Sequence, residues 1–201
     1  MPIPRTNTME IETERLLLRP IREADLEDEF GILGDAETMS FYRRPYTREE
    51  TVEIIANNVR TIEASGYGMF AVLEKHSGEY LGDCGITIQI IDGEEEFEVG
   101  YRIRKESWGQ GFAPEAARAM IDYGFQQLGM KKLCSYMLKD HHQSRRTAEK
   151  SGMTFQKEYV NPRNRDLPTA VYVIYNPLEK SGGADPDDAK SGSSSTGVSS
   201  Q

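Results

Sequence analysis

WGQGFAPEA, from Trp108 to Ala116, decides how this chain is read. Two glycines, Gly109 and Gly111, stand directly ahead of an apolar-periodic run that continues through Ala117, Met120 and Ile121. Glycine takes the left-handed backbone that tight turns demand, and its missing Cβ lets a ligand come close to the main chain. The first turn of the following helix leaves N–H groups without intrahelical partners, and the helix dipole adds partial positive charge where they converge. Phosphate oxygens suit such a cradle. Pro114 fits that first turn because its absent N–H deletes no intrahelical bond, although one donor is lost to a ligand. Ahead of the cradle, Phe97, Val99, Tyr101 and Ile103 alternate with Glu98, Gly100 and Arg102, the period of a strand. Strand, basic loop, glycine cradle and helix, in that order, suit a pyrophosphate-bearing cofactor whose reactive end lies along the strand. The glycine spacing alone fits a strand-to-helix turn without ligand equally well.

Three longer stretches carry a resemblance. EVGYRIRKESWGQGFAPEAARAMIDYGF, from Glu98 to Phe125, resembles the acyl-CoA-binding core of the GNAT N-acetyltransferases, in particular the ribosomal-protein-alanine acetyltransferase-like (RimJ/RimL) branch. IETERLLLRPIREADLEDEF, from Ile11 to Phe30, is similar to the first strand and helix of that branch, and HHQSRRTAEKSGMTF, from His141 to Phe155, to its NxxSxxxxEKxGF segment. Two positions depart from the pattern: Trp108 stands where the cradle has Arg or Gln, and His141 where the later segment has Asn.

The resemblance implies an α/β (α+β) fold: a mixed, largely antiparallel sheet of six to seven strands, flanked by helices, with the acyl-CoA cleft between two central strands. It implies transfer of an acetyl group from acetyl-CoA to a primary amine by direct attack in a ternary complex, with no metal. Trp108, Gly109, Gln110, Gly111, Phe112 and Ala113 are expected to hold the cofactor, with Arg104, Lys105, Arg145 and Arg146 as further phosphate candidates. A main-chain donor for the thioester oxygen is expected from Tyr101, Arg102 or Ile103, with Gly100 marking a bulge that frees it. Glu98 matches the position of a general base, and a sheet-edge or ion-pairing role remains its alternative. Ser144 matches the proton donor to the departing thiolate, or is an ordinary N-cap. His141 replaces it in that role, or contacts the cofactor in place of Asn, because imidazole titrates in the useful range.

Composition narrows the classes. In 201 residues, 33 Asp and Glu outnumber 24 Lys and Arg for a formal net charge of −9, which argues against nucleic acid as partner and suits a cationic acceptor. No apolar run is long enough for a membrane span and no leader pattern is present, so a soluble, cytoplasmic protein is expected. Cys84 and Cys134 lie in apolar runs and read as buried thiols, with no metal-ligand spacing. The expected partner is an amine acceptor, either a protein N-terminus or a small molecule, and the expected state is a monomer or homodimer. A catalytically silent acyl-CoA sensor is the rival reading.

Residues 1–9 read as a loose lead, 10–178 as the N-acetyltransferase domain and 179–201 as a disordered Ser/Gly/Asp-rich tail. Within the domain the spacing predicts a strand over residues 11–20 and a helix over 23–33. Thr47 and Glu50 form a capping box ahead of a second helix carrying Val52, Ile55, Val59 and Ile62. Phe41, Tyr42 and Tyr46 lie between these helices, as packing residues or as part of an acceptor site. Strands follow over 69–74 and 80–91, and Asp92-Gly93 signals a hairpin into the strand of Glu98. A further strand (132–138), a short helix (144–151) and a closing strand pair (154–160 and 170–175) complete the pattern.

Overall fold

The computed structural model describes residues 9–177, so the expected tail and most of the expected lead lie outside the described residues. Met9, assigned to the lead, is buried in the core, its sulfur 3.6 Å from the Tyr123 hydroxyl. Chain order is β1 (Ile11–Glu12), β2 (Leu16–Pro20), α1 (Leu26–Leu33, entered through a 3-10 turn at Glu23–Asp25), α2 (Arg48–Ser65), β3 (Met69–Glu74), β4 (Tyr80–Ile91), β5 (Glu94–Ile103), α3 (Phe112–Gln126), β6 (Lys132–Leu138), α4 (His142–Lys150), β7 (Thr154–Asn161) and β8 (Leu167–Tyr175). All eight strands join one sheet in the order β1-β2-β3-β4-β5-β6-β8-β7.

The sheet is mixed and largely antiparallel, as expected, but has eight strands rather than six or seven. The first expected strand is split in two because Thr13 turns the chain: its amide donates to the Leu16 carbonyl at 2.9 Å and its hydroxyl accepts from the Leu16 amide at 2.8 Å. Local signals elsewhere set local structure. Asp92 and Gly93 both take positive φ, 54° and 86°, the geometry a two-residue hairpin needs to match strand twist, and Ile91 pairs with Glu94 across it. The acidic run thereby becomes the start of β5. The capping box forms reciprocally, Glu50 N–H to Thr47 Oγ1 at 3.2 Å and Thr47 N–H to Glu50 Oε2 at 2.8 Å, and Gly66 ends α2 at φ 78°.

The sheet has two dressed faces. Phe112, Ala116, Ala117 and Met120 of α3 pack on Cys84 and Ile86 of β4 and Val99 and Ile103 of β5, all at most 6 % exposed. Small residues let this helix lie close: a Cβ on Gly124 would meet Ile86 Cδ1 at 2.9 Å. The opposite face is covered by α1 and α2 through Ile32 and Ile55 on Ala71 and Tyr80. Burying each such aliphatic side chain contributes about 1.5–3 kcal/mol, so the two layers hold the centre of the sheet rigid. One break interrupts it. Every neighbouring pair is antiparallel except β5 and β6, which run parallel and pair at a single position, Glu98 with Cys134. Beyond that point the two strands part.

Candidate active site

The parting and the cradle meet at the end of β5. Gly109 and Gly111 hold φ of 77° and 84°, and Gly111 is the N-cap of α3. Phe112 and Ala113 therefore supply the first orphan amides of the helix, while Pro114 has none to give. Trp108 fastens the loop, its indole N–H donating to the Ile103 carbonyl at 2.6 Å. Five consecutive residues, Gly109 to Ala113, thus carry amides on a turn built from two left-handed glycines. That donor set fits a diphosphate and needs no positive side chain within it.

Strand register identifies a second donor. The Arg104 amide bonds the Leu81 carbonyl at 2.8 Å, so the alternate residues Arg102 and Gly100 also turn their polar groups to β4, and Tyr101 and Ile103 turn theirs the other way. On that side the ladder to β6 has ended at Glu98. The Tyr101 amide is therefore presented to the gap between the parted strands. The bulge expected at Gly100 does not form: β4 and β5 stay in step from Gly82–Ile103 to Ile91–Glu94. Divergence of β5 from β6, not an extra residue, frees the donor.

Glu98 lies three residues earlier, on the face shared with Arg102. It is half-buried, with the Thr87 hydroxyl 3.4 Å away. Burial pushes its carboxyl up to about 7, against the lowering pull of Arg102, Thr87 and Gln89. Phenols of Tyr42, Tyr136 and Tyr159 stand in its field, and burial raises all three above the usual range, Tyr42 and Tyr159 to about 12. The aromatic segment between α1 and α2 therefore closes on this side of the sheet: Tyr42 reaches the surroundings of Glu98 and Arg102, and Phe41 stacks on the His141 ring at 3.7 Å and 8°.

On the other face, Tyr101 bridges from β5 to α4. Its hydroxyl donates to the Ser144 carbonyl at 2.9 Å and lies 3.1 Å from Ser144 Oγ. Helix α4 begins at His142 with His141 as its N-cap, so Ser144 is in the first turn and is not the cap. His141 does not titrate near neutrality as its residue type suggests. Burial, with His142 beside it, lowers its pKa to about 4 and leaves a neutral ring.

The Arg102 side chain is committed elsewhere. Its Nε lies 2.9 Å from Asp83 Oδ1, its Nη2 also bonds Asp83, and Nη2 is 3.8 Å from Glu29 Oε1. Its guanidinium is held by these acids and its main chain faces β4, so of the three expected main-chain donors Arg102 is turned from the gap. Glu29, fully buried on α1, accepts from the Tyr80 hydroxyl at 2.6 Å, while its Oε1 has no hydrogen-bond partner. Burial and then Asp83 hold its carboxyl well above the usual range. Among the phosphate candidates, Arg104 bonds Glu79 at 2.7 Å, Lys105 bonds Glu37 at 3.1 Å and Arg145 bonds the Tyr172 hydroxyl at 3.0 Å. Arg104 and Lys105 are thus each paired with an acid, and Arg146 is exposed on α4.

Sequence reasoning passed over Arg15, whose guanidinium sits against the cradle. It also passed over Glu29, whose signal was its place on the apolar stripe of α1 between Leu26 and Ile32. Among the described residues no group of three His, Cys, Asp or Glu side chains is placed to hold a metal ion. No helix among them is long and apolar enough to cross a membrane.

A sheet opened between two parallel central strands, beside a helix entered through paired left-handed glycines, defines an acyl-coenzyme A-dependent acyltransferase architecture. Residues 15–154 match the acetyltransferase (GNAT) domain, and the chain belongs to the GNAT acetyltransferase family. Membership implies acetyl-CoA-dependent acetylation. The chain is 35 % identical over 161 residues to the uncharacterized protein YkkB of Bacillus subtilis, covering 80 % of this chain and 92 % of that one. The crystal structure of an acetyltransferase from Agrobacterium tumefaciens superposes with a TM-score of 0.71 at 26 % identity, over 87 % of this chain and 96 % of that one. RimL, a ribosomal L7/L12 α-N-protein acetyltransferase solved in complex with coenzyme A, shares the fold with a TM-score of 0.69 at 16 % identity, over 83 % and 97 % of the two chains.

Proposed function

We propose that this protein acetylates a primary amine by direct attack in a ternary complex with acetyl-CoA, with Glu98 as the base. The observation that carries the reading is the placement of a carboxyl poised at about 7 three residues from the freed Tyr101 amide, where β5 and β6 part. The amides of Gly109 to Ala113 hold the diphosphate. Acetyl-CoA, when bound, supplies the thioester carbonyl and the leaving thiol. The Tyr101 amide is directed at the carbonyl oxygen as charge develops there, a contribution of about 3–4 kcal/mol for a fixed donor. Ser144 Oγ, held in place by Tyr101, passes a proton to the departing sulfur; neutral His141 keeps to stacking and to the wall of the site.

The acceptor must lose a proton before it attacks. Glu98 at about 7 takes one from an α-ammonium of pKa about 8 at a cost of about 1.4 kcal/mol, but from a lysine ammonium of about 10.4 at about 4.6 kcal/mol. That difference favours a protein N-terminus, or a small amine of similarly low basicity, and it agrees with the named activity of RimL. We place the reaction in the cytoplasm, where unpaired thiols such as the two buried cysteines persist. Thiol release from acetyl-CoA against N-terminal peptides, polyamines and aminoglycosides tests the reading. Release with α-amines supports it; tight binding with silence across the whole panel replaces it with a sensor.

A further inference from the structure

Arg15 leaves the turn between β1 and β2 and reaches the cradle from outside. Its Nη1 donates to the Gln110 carbonyl at 2.9 Å, and its Nη2 lies so near that a Cβ on Gly111 would stand 3.4 Å from it. The guanidinium covers the Phe112 ring, 4.6 Å from the centroid, and its Nε donates to Glu115 Oε2 at 2.7 Å. Glu115 is itself held twice more, by the Arg15 amide at 3.0 Å and the Thr13 hydroxyl at 2.6 Å. Burial opposes its charge, but Thr13 and Arg15 outweigh that and keep its carboxyl below the usual range.

A trans peptide points its C=O and the next N–H in opposite directions, and no cis bond occurs among the described residues. Holding the Gln110 carbonyl toward Arg15 therefore turns the Gly111 amide away from it, into the cradle. The Gln110–Gly111 peptide needs such a hold, since the glycine at its end is free to rotate. We propose that Arg15, aligned by Glu115 and Thr13, is a positioning residue for the coenzyme: it fixes the plane of the Gln110–Gly111 peptide so that the Gly111 amide is aimed at the diphosphate. The proposal rests on the reading of the cradle as the diphosphate site, and goes beyond it by assigning the orientation of a cradle donor to a side chain about a hundred residues distant in sequence. Arg15 and Glu115 neutralise each other, so the contribution is geometric and not a net charge.

Calorimetric titration of coenzyme A and of 3′-dephospho-coenzyme A into wild type, R15A and the double variant R15A/E115Q separates the cases. The wild type is expected to bind both. R15A is expected to bind both about tenfold more weakly, the size of one charge-assisted hydrogen bond, with kcat at saturation within about twofold of wild type. The double variant, which restores the charge balance, is expected to keep the loss. Unchanged affinity in R15A, a loss confined to the ligand with a 3′-phosphate, or recovery in the double variant overturns the proposal, the last two by revealing direct phosphate contact or a field effect. If R15A fails to fold, R15K, which keeps the charge but cannot span Gln110 and Glu115 together, should bind both ligands several-fold more weakly than wild type, and wild-type affinity in R15K overturns the proposal. Wild type that binds neither ligand removes the cradle reading and this one with it; wild type that binds with indifferent variants removes this one alone.

Discussion

Replacing Glu98 with Gln should slow the enzyme and stabilise the protein, and the two effects should share one pH dependence. The Glu98 carboxyl ionises near 4.5 in the unfolded chain and at about 7 in the fold, because burial penalises the charge more than Arg102, Thr87 and Gln89 favour it. Between those values the native state binds more protons than the unfolded state, so stability falls as pH rises from about 4.5 to about 7 and levels off above it. A displacement of about 2.5 units corresponds to a ceiling of about 3 kcal/mol lost by pH 8. Glutamine cannot ionise and escapes that loss. E98Q should therefore match wild type in stability near pH 4.5 and exceed it at pH 8 by up to about 3 kcal/mol. Activity runs the other way. At pH 6 about a tenth of wild-type Glu98 is ionised and at pH 8 about nine tenths, so kcat/KM should climb through a limb centred near 7. E98Q should lose that limb and about 10²–10⁴ in rate, the range for a positioned base. Chemical denaturation at the two pH values and thiol release across pH 5.5 to 9 measure both. A variant that keeps the wild-type limb, or gains nothing at pH 8, refutes the assignment.

Other perturbations probe the cradle, the proton donor and the buried charges. G111A places a side chain at φ 84° and against Arg15, so it should cost about 1 kcal/mol of stability and raise the KM for acetyl-CoA about tenfold, readable by denaturation and initial rates. S144A should lower kcat about tenfold with little change in KM, and unchanged turnover removes Ser144 as proton donor. H141A should leave the pH profile between 6 and 9 unaltered in shape, because the ring is already neutral above about 4; a shifted limb contradicts this. E29Q keeps an acceptor for the Tyr80 hydroxyl at a site where burial disfavours charge and should be tolerated, whereas D83N removes the acid that pairs with the Arg102 guanidinium and should cost about 3–5 kcal/mol of unfolding free energy by chemical denaturation.

What the sequence made legible was what neighbours along the chain determine. The Asp92-Gly93 hairpin, the Thr47/Glu50 box, the two left-handed glycines and the alternating strand of Glu98 each depend on a few adjacent residues, and each stands where periodicity and turn chemistry place it. Features made by distant contacts were not legible. Arg15 meets Glu115 a hundred residues on, and nothing local marks either as part of the cradle. The guanidinium of Arg102 is held by Asp83 from β4 and stands near Glu29 from α1, contacts that no neighbour along the chain announces. The expected bulge at Gly100 failed because the donor is released by the divergence of two strands, a property of the sheet and not of one glycine. His141 kept its residue type's ordinary titration only in isolation; Phe41, from another part of the chain, buries it.

On the proposed reading, main-chain donors at the start of α3 grip a diphosphate and lay the thioester along β5. A crystal structure of the protein grown with coenzyme A tests it most directly. Diphosphate oxygens are expected within hydrogen-bonding distance of amides between Gly109 and Ala113, with the sulfur in the gap beside Tyr101 and Glu98. Coenzyme seated anywhere else, or a sulfur remote from that gap, contradicts it.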